Sequence, residues 1–123
     1  MRAKDRARST SKAKEEETFL KGLGRQVRLL RQNRNLTQAE LAEKAEAGMK
    51  YLGEIERGQT NPGLRLLWQL SAALGVEVFE LFLFSVTDGE QESRMRVQIM
   101  GLLKGRQGKG LEQAARVLRV LGE

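Results

Sequence analysis

The chain has no cysteine and no histidine, and only one proline, one tryptophan, one tyrosine and four phenylalanines in 123 residues. Each absence narrows what the protein can do. Without Cys there is no disulfide, no thiolate nucleophile and no Cys-bearing zinc site. Without His the commonest general base and the commonest transition-metal ligand are missing. Metal chemistry is left with carboxylate-only sites for hard cations such as Mg or Ca. Long apolar runs are also lacking. The most apolar stretch, Val76 to Val86, is far shorter than the ~20 residues of a membrane helix. The stretch from Met1 to Glu17 is almost all polar or charged and holds no secretory core. These features lead to the expectation of a cytoplasmic, non-enzymatic protein with no cofactor, no metal and no membrane association. The length favours one compact domain with a small appendage.

What is present is positive charge: 22 Lys and Arg against 16 Asp and Glu, a formal +6. An excess of base points to a polyanion, with nucleic acid as the first partner to test. The charge is uneven. Arg2, Lys4, Arg6, Arg8, Lys12 and Lys14 face only Asp5 within residues 1–14. With no large apolar residue after Met1, residues 1–18 are expected to form a disordered basic arm. Two readings stay open for it: a grip on phosphates or a minor groove, or a solubilising tail without a partner. Glu15, Glu16 and Glu17 would then occupy the first turn of the helix that follows.

Helical periodicity dominates the rest. Leu20, Leu23, Val27 and Leu30 form a stripe, and Asn33 and Asn35 fit a stop. Thr37 with Glu40 reads as a capping box opening a short helix over 38–45. A turn at Glu46-Ala47-Gly48 leads to a third helix over 49–57, closed by Gly58. Thr60-Asn61-Pro62 opens a fourth, with Pro62 near its first turn, the stripe Leu64, Leu67, Leu70 and Leu74, and a stop at Gly75. A fifth short element lies near 78–83, strand or helix on periodicity alone. Phe79 and Phe82 are expected to cap the core. Leu83, Phe84 and Val86 are candidates for a subunit interface or for a buried contact with the tail. The tail reads as helices over 90–104 and 111–121, linked by Gly105–Gly110. Its apolar stripe is Met95, Ile99, Leu102 and Leu103, then Leu111, Ala114, Ala115, Leu118 and Leu121.

Two short helices across a tight turn make a helix-turn-helix. At about 100° per residue, counted from Met49, Leu52 and Ile55 fall at about 300° and about 240°, facing inward. Met49, Gly53, Arg57, Lys50 and Glu54 spread over about 0–140° on the open arc.

The string Leu36-Thr37-Gln38-Ala39-Glu40-Leu41-Ala42, then Tyr51-Leu52, Ile55-Glu56-Arg57-Gly58 and Asn61-Pro62, resembles the Xre-like family of phage repressors and Cro proteins. The resemblance covers about 20–82 and extends to Leu74-Gly75-Val76. It implies an all-α, five-helix repressor-like domain at 19–84, followed by one or two helices in a dimerising segment at 85–123. By this resemblance Met49, Lys50, Gly53 and Glu54 face base edges. Gln38, Arg57, Gln59 and Asn61 match phosphate-contacting positions, Gln38 also buttressing the recognition helix. Arg31 and Glu56 match a structural ion pair. The alternative for Glu54 is a pair with Lys50 or Arg57 along the helix. The sequence departs from the family at Glu46, where Gly is usual, and at Gly48, where Ser or Thr is usual.

The function expected from the resemblance is that of a homodimeric regulator, most simply a repressor. It would bind double-stranded DNA with the 49–57 helix in the major groove and place two half-sites roughly 34 Å apart. The alternative is an antitoxin-like interaction protein whose C-terminal segment binds a partner protein while the helix-turn-helix represses its own operon. The glycines of 105–110 miss the spacing of a phosphate loop, and a linker is the reading retained.

Overall fold

A computed structural model describes residues 3–104, together with residues 116 and 119. The second tail helix expected over 111–121 and the linker before it therefore lie outside the described residues, apart from those two positions. The elements in order are α1 (Ala3–Asn33), α2 (Gln38–Lys44), α3 (Met49–Glu56), α4 (Leu64–Leu74), a 3₁₀ turn (Val78–Phe82) and α5 (Glu90–Lys104). Every regular element among the described residues is helical, so the all-α expectation stands.

The helix α1 begins well before the periodic segment that starts at Leu20. Its backbone is helical from Ala3 to Asn33 and runs through residue 18 without a break. Residues 3–21 contain neither Gly nor Pro and are rich in Ala, Lys, Arg and Glu, all strong helix formers. Extending a helix already anchored by packing adds a hydrogen bond per residue and avoids a new nucleus. Glu17 thus sits well inside the helix, where it pairs with Lys21 at 2.9 Å.

Four helices enclose one core. Leu23, Val27 and Leu30 of α1 meet Leu41 and Ala42 of α2, Leu52 and Ile55 of α3, and Leu67, Leu70 and Leu74 of α4, with Leu81 and Val97 closing it. Each buried Leu or Ile contributes roughly 1.5–3 kcal/mol by leaving water. Leu64, expected on the α4 stripe, is exposed instead. The helix opens one residue after the Gly63 N-cap, so Pro62 is buried ahead of the first turn and outside it.

The helices α1 to α4 all end alike. In each, a left-handed residue follows the last turn, and its amide and the next one reach back to carbonyls of that turn. The left-handed positions are Asn35, Glu46, Gly58 and Gly75, with φ of 57°, 54°, 70° and 69°. This is the Schellman closure, which satisfies carbonyls that the helix end orphans. Gly and Asn adopt that conformation readily; Glu46 does so against its Cβ.

The 3₁₀ turn explains a second correction. Three residues per turn put Val78 and Leu81 on one side and Phe79 and Phe82 on the other. Leu81 is buried, whereas Phe79 and Phe82 are exposed and do not cap the core. Phe82 stacks on Phe19 of α1 at 6.4 Å. Phe84 meets Phe19 at 5.5 Å and lies on the Cα of Gly22, a contact with α1. Leu83 and Val86 are exposed.

The helix α5 packs on α1 with the opposite face from the one expected. Ser93 and Val97 are buried and Met100 packs on the core. Met95 and Leu102 are 53% and 68% exposed. At about 100° per residue the two sets lie about 180° apart. Polar contacts fix the docking, Arg28 of α1 to Glu90 at 2.8 Å and Lys104 to the buried Glu80, while Arg96 pairs with Asp88 in the turn just before α5. The carbonyl of Gly75 accepts from Arg34 Nη2 at 3.3 Å and from Lys104 Nζ at 3.1 Å. Two cations thereby sit at the negative end of α4.

Candidate nucleic-acid interface

The helix α2 begins at a complete capping box. The Glu40 amide donates to Thr37 Oγ1 at 3.1 Å, and the Thr37 amide donates to Glu40 Oε1 at 3.0 Å. The Thr37 amide first, and the Thr37 side chain second, hold the Glu40 carboxyl below the ordinary glutamate range. Gly48 caps α3 by backbone only, as its missing hydroxyl requires.

One carboxylate ties the unit together. Glu56 accepts from Arg31 Nε at 2.8 Å and from Arg31 Nη2 and Gln38 Nε2 at 3.0 Å each. Arg31 also donates to the Leu36 carbonyl at 2.8 Å. The side chains of Arg31 and Glu56 are only 12% and 3% exposed. One residue at the end of α3 is thus locked to α1 and to the start of α2. Gln38 buttresses α3, and among the described residues one of its amide hydrogens and its carbonyl oxygen stay uncommitted.

Sequence reasoning missed Gly24. A Cβ there would fall 2.2 Å from the Ile55 carbonyl oxygen and 2.6 Å from that of Glu56. The bare Cα lets α1 touch the backbone of α3. The available signal was a glycine inside a helical stripe, which usually has a packing reason.

Turned inward, α3 presents Leu52 and Ile55. Met49 and Lys50 are exposed and Glu54 is half-buried. Among the described residues no salt bridge joins Glu54 to Lys50 or Arg57. Gly53, expected to lie open, is buried, because Arg57 folds over it. Arg57 Nη1 stands 3.0 Å from where a Cβ of Gly53 would be. Arg57 Nε donates to Gln59 Oε1 at 2.9 Å. Asn61 is exposed beyond them. No cluster of three metal-ligating side chains occurs among the described residues. No helix among them is long and apolar enough to cross a membrane.

A short helix braced from behind, presenting an open polar face across a tight turn from its partner, defines the helix-turn-helix class. The chain belongs to the helix-turn-helix family HTH_3, whose pattern matches residues 27–81. It is 43% identical over 56 residues to the immunity repressor protein of Bacillus phage phi105, covering 46% of this chain and 39% of that one. It is 40% identical over 60 residues to the HTH-type transcriptional regulator SinR of Bacillus subtilis, covering 48% and 54%. The chain thus spans only part of the length of these relatives. Among solved structures it is similar to the restriction-modification controller protein C.AhdI of Aeromonas hydrophila. That similarity has a TM-score of 0.51 and 38% identity over 51% of this chain and 96% of that one.

Proposed function

We propose that this chain is a transcription regulator that binds duplex DNA by laying α3 in the major groove. The observation that carries the reading is the braced helix with a free outer face. Glu56, Arg31 and Gln38 fix α3 from behind, while Met49, Lys50 and Glu54 are left toward the groove. Lys50 donates to guanine O6 and N7, Glu54 accepts from cytosine N4, and Met49 packs on a thymine methyl. Gln38 and Asn61 hold backbone phosphates on either side. The relatives named as repressors and transcriptional regulators support the same class of activity.

The regulator acts as a homodimer, since a two-fold protein matches two half-sites about one helical turn apart. The exposed Met95 and Leu102 on α5, with the half-buried Ile99 between them, are where the second copy is proposed to pack.

Selection of bound sequences from random duplex DNA tests the whole reading. The expected result is a palindromic consensus with half-sites spaced by one turn. A pool with no enriched sequence overturns it. Sedimentation of the full chain and of the Met95→Asp, Leu102→Asp double variant tests the dimer. A wild-type dimer that becomes a monomer is expected, and a wild-type monomer overturns it.

A further inference from the structure

We propose that Arg57 reads a base, with its guanidinium laid along the recognition face at Gly53 and steered by Gln59, and that it selects a guanine in each half-site. The proposal rests on α3 being the groove helix. It departs from the phosphate-contacting role that the family resemblance implies for Arg57 and Gln59.

Three observations converge on it. First, direction: side chains on a helix lean toward its N-terminus, so Arg57 leans back over Gly53, four residues earlier. The guanidinium indeed covers Gly53, with Nη1 at 3.0 Å and Cζ and Nη2 at 3.7 Å from a Cβ built there. Any larger residue at 53 would occupy that space. Second, location: on the helical wheel Arg57 falls at about 80°, between Gly53 at about 40° and Lys50 at about 100°, inside the arc that faces the groove. Third, state: Arg57 is exposed, makes no salt bridge among the described residues, and spends Nε on Gln59 Oε1 at 2.9 Å. That bond fixes the guanidinium plane and leaves Nη1 and Nη2 as donors.

Two donors on a planar fork match guanine O6 and N7, the commonest specific contact in the major groove. Gln59 is then a positioning residue: it touches no base and orients the fork that does.

The test is selection from random duplex DNA with the full wild-type chain, Arg57→Lys and Gln59→Ala, with thermal melts to verify folding. The wild type should return a guanine at one fixed position per half-site. Arg57→Lys should lose preference at that position alone, by roughly 5- to 150-fold, and keep the rest of the consensus. Gln59→Ala, with the guanidinium intact, should weaken preference at the same position. The proposal is overturned if both variants return the wild-type consensus while Arg57→Lys binds every sequence more weakly. Such uniform weakening is the signature of a phosphate contact. A wild-type pool without any consensus removes the groove-helix reading itself, and this proposal with it.

Discussion

The Arg31 guanidinium and the Glu56 carboxylate meet as a fork, Nε to Oε2 at 2.8 Å and Nη2 to Oε1 at 3.0 Å, joining α1 to the last turn of α3. Paired and hydrogen-bonded, the two charges tolerate burial; separated, one of them is left uncompensated. Arg31→Ala is therefore expected to lower stability by about 3–5 kcal/mol, read from urea midpoints. Replacing both residues by apolar ones of similar volume should cost far less. A double-mutant cycle showing independent, additive losses would mean that the fork carries no coupling.

Gly24 offers a sharper steric test. In Gly24→Ala the new methyl meets backbone oxygens of Ile55 and Glu56, which cannot rotate away as a side chain would. The α1–α3 approach must widen, at about 1–3 kcal/mol. Urea denaturation should show the loss. A variant as stable as wild type would show that the two helices separate without strain.

Glu46 is the reverse case, a substitution expected to stabilise. Its left-handed backbone costs a non-glycine residue about 1–2 kcal/mol. Glycine removes that strain but adds about 0.5–1 kcal/mol of chain entropy to be lost on folding. Glu46 is exposed and makes no salt bridge among the described residues, so little else changes. Glu46→Gly should gain on the order of 0.5–1 kcal/mol, visible as a higher melting temperature. A lower one would reveal a contact of the carboxylate that outweighs its backbone.

The capping box should make stability fall in acid. Glu40 is held below its ordinary range by the Thr37 amide first, then by the Thr37 side chain. A depressed folded-state value stabilises fully above the unfolded value and is lost as pH falls through the folded one. Comparing urea midpoints at neutral pH and well below the usual glutamate range, ~4.3, should show a smaller drop for Glu40→Gln than for wild type. Equal drops would remove Glu40 as a contributor.

The parts of the fold written in local chemistry were readable from the sequence. Thr37 with Glu40 announced α2, and Gly58 and Gly75 announced the ends of α3 and α4. The apolar stripes of α1 and α4, with the inward Leu52 and Ile55 of α3, picked out more than half of the buried apolar residues. What escaped depended on partners distant in sequence. The helix α5 is apolar on both sides, and only its docking on α1 decides that Ser93 and Val97 go in while Met95 and Leu102 stay out. Phe79 and Phe82 face out because the chain winds with three residues per turn there, a choice that so short a segment does not announce. At the candidate interface, the resemblance led to Glu56 and Gln38, but not to the guanidinium that closes over Gly53.

The Gly75 carbonyl has a consequence for how the molecule opens. It takes hydrogen bonds from Arg34 just past α1 and from Lys104 at the end of α5, so one oxygen is shared by three helix ends. Fraying of α5 withdraws Lys104 from both Gly75 and Glu80. The last turn of α4 and the last turn of α5 should therefore exchange their amide hydrogens as one cooperative unit, although about 30 residues of chain lie between them.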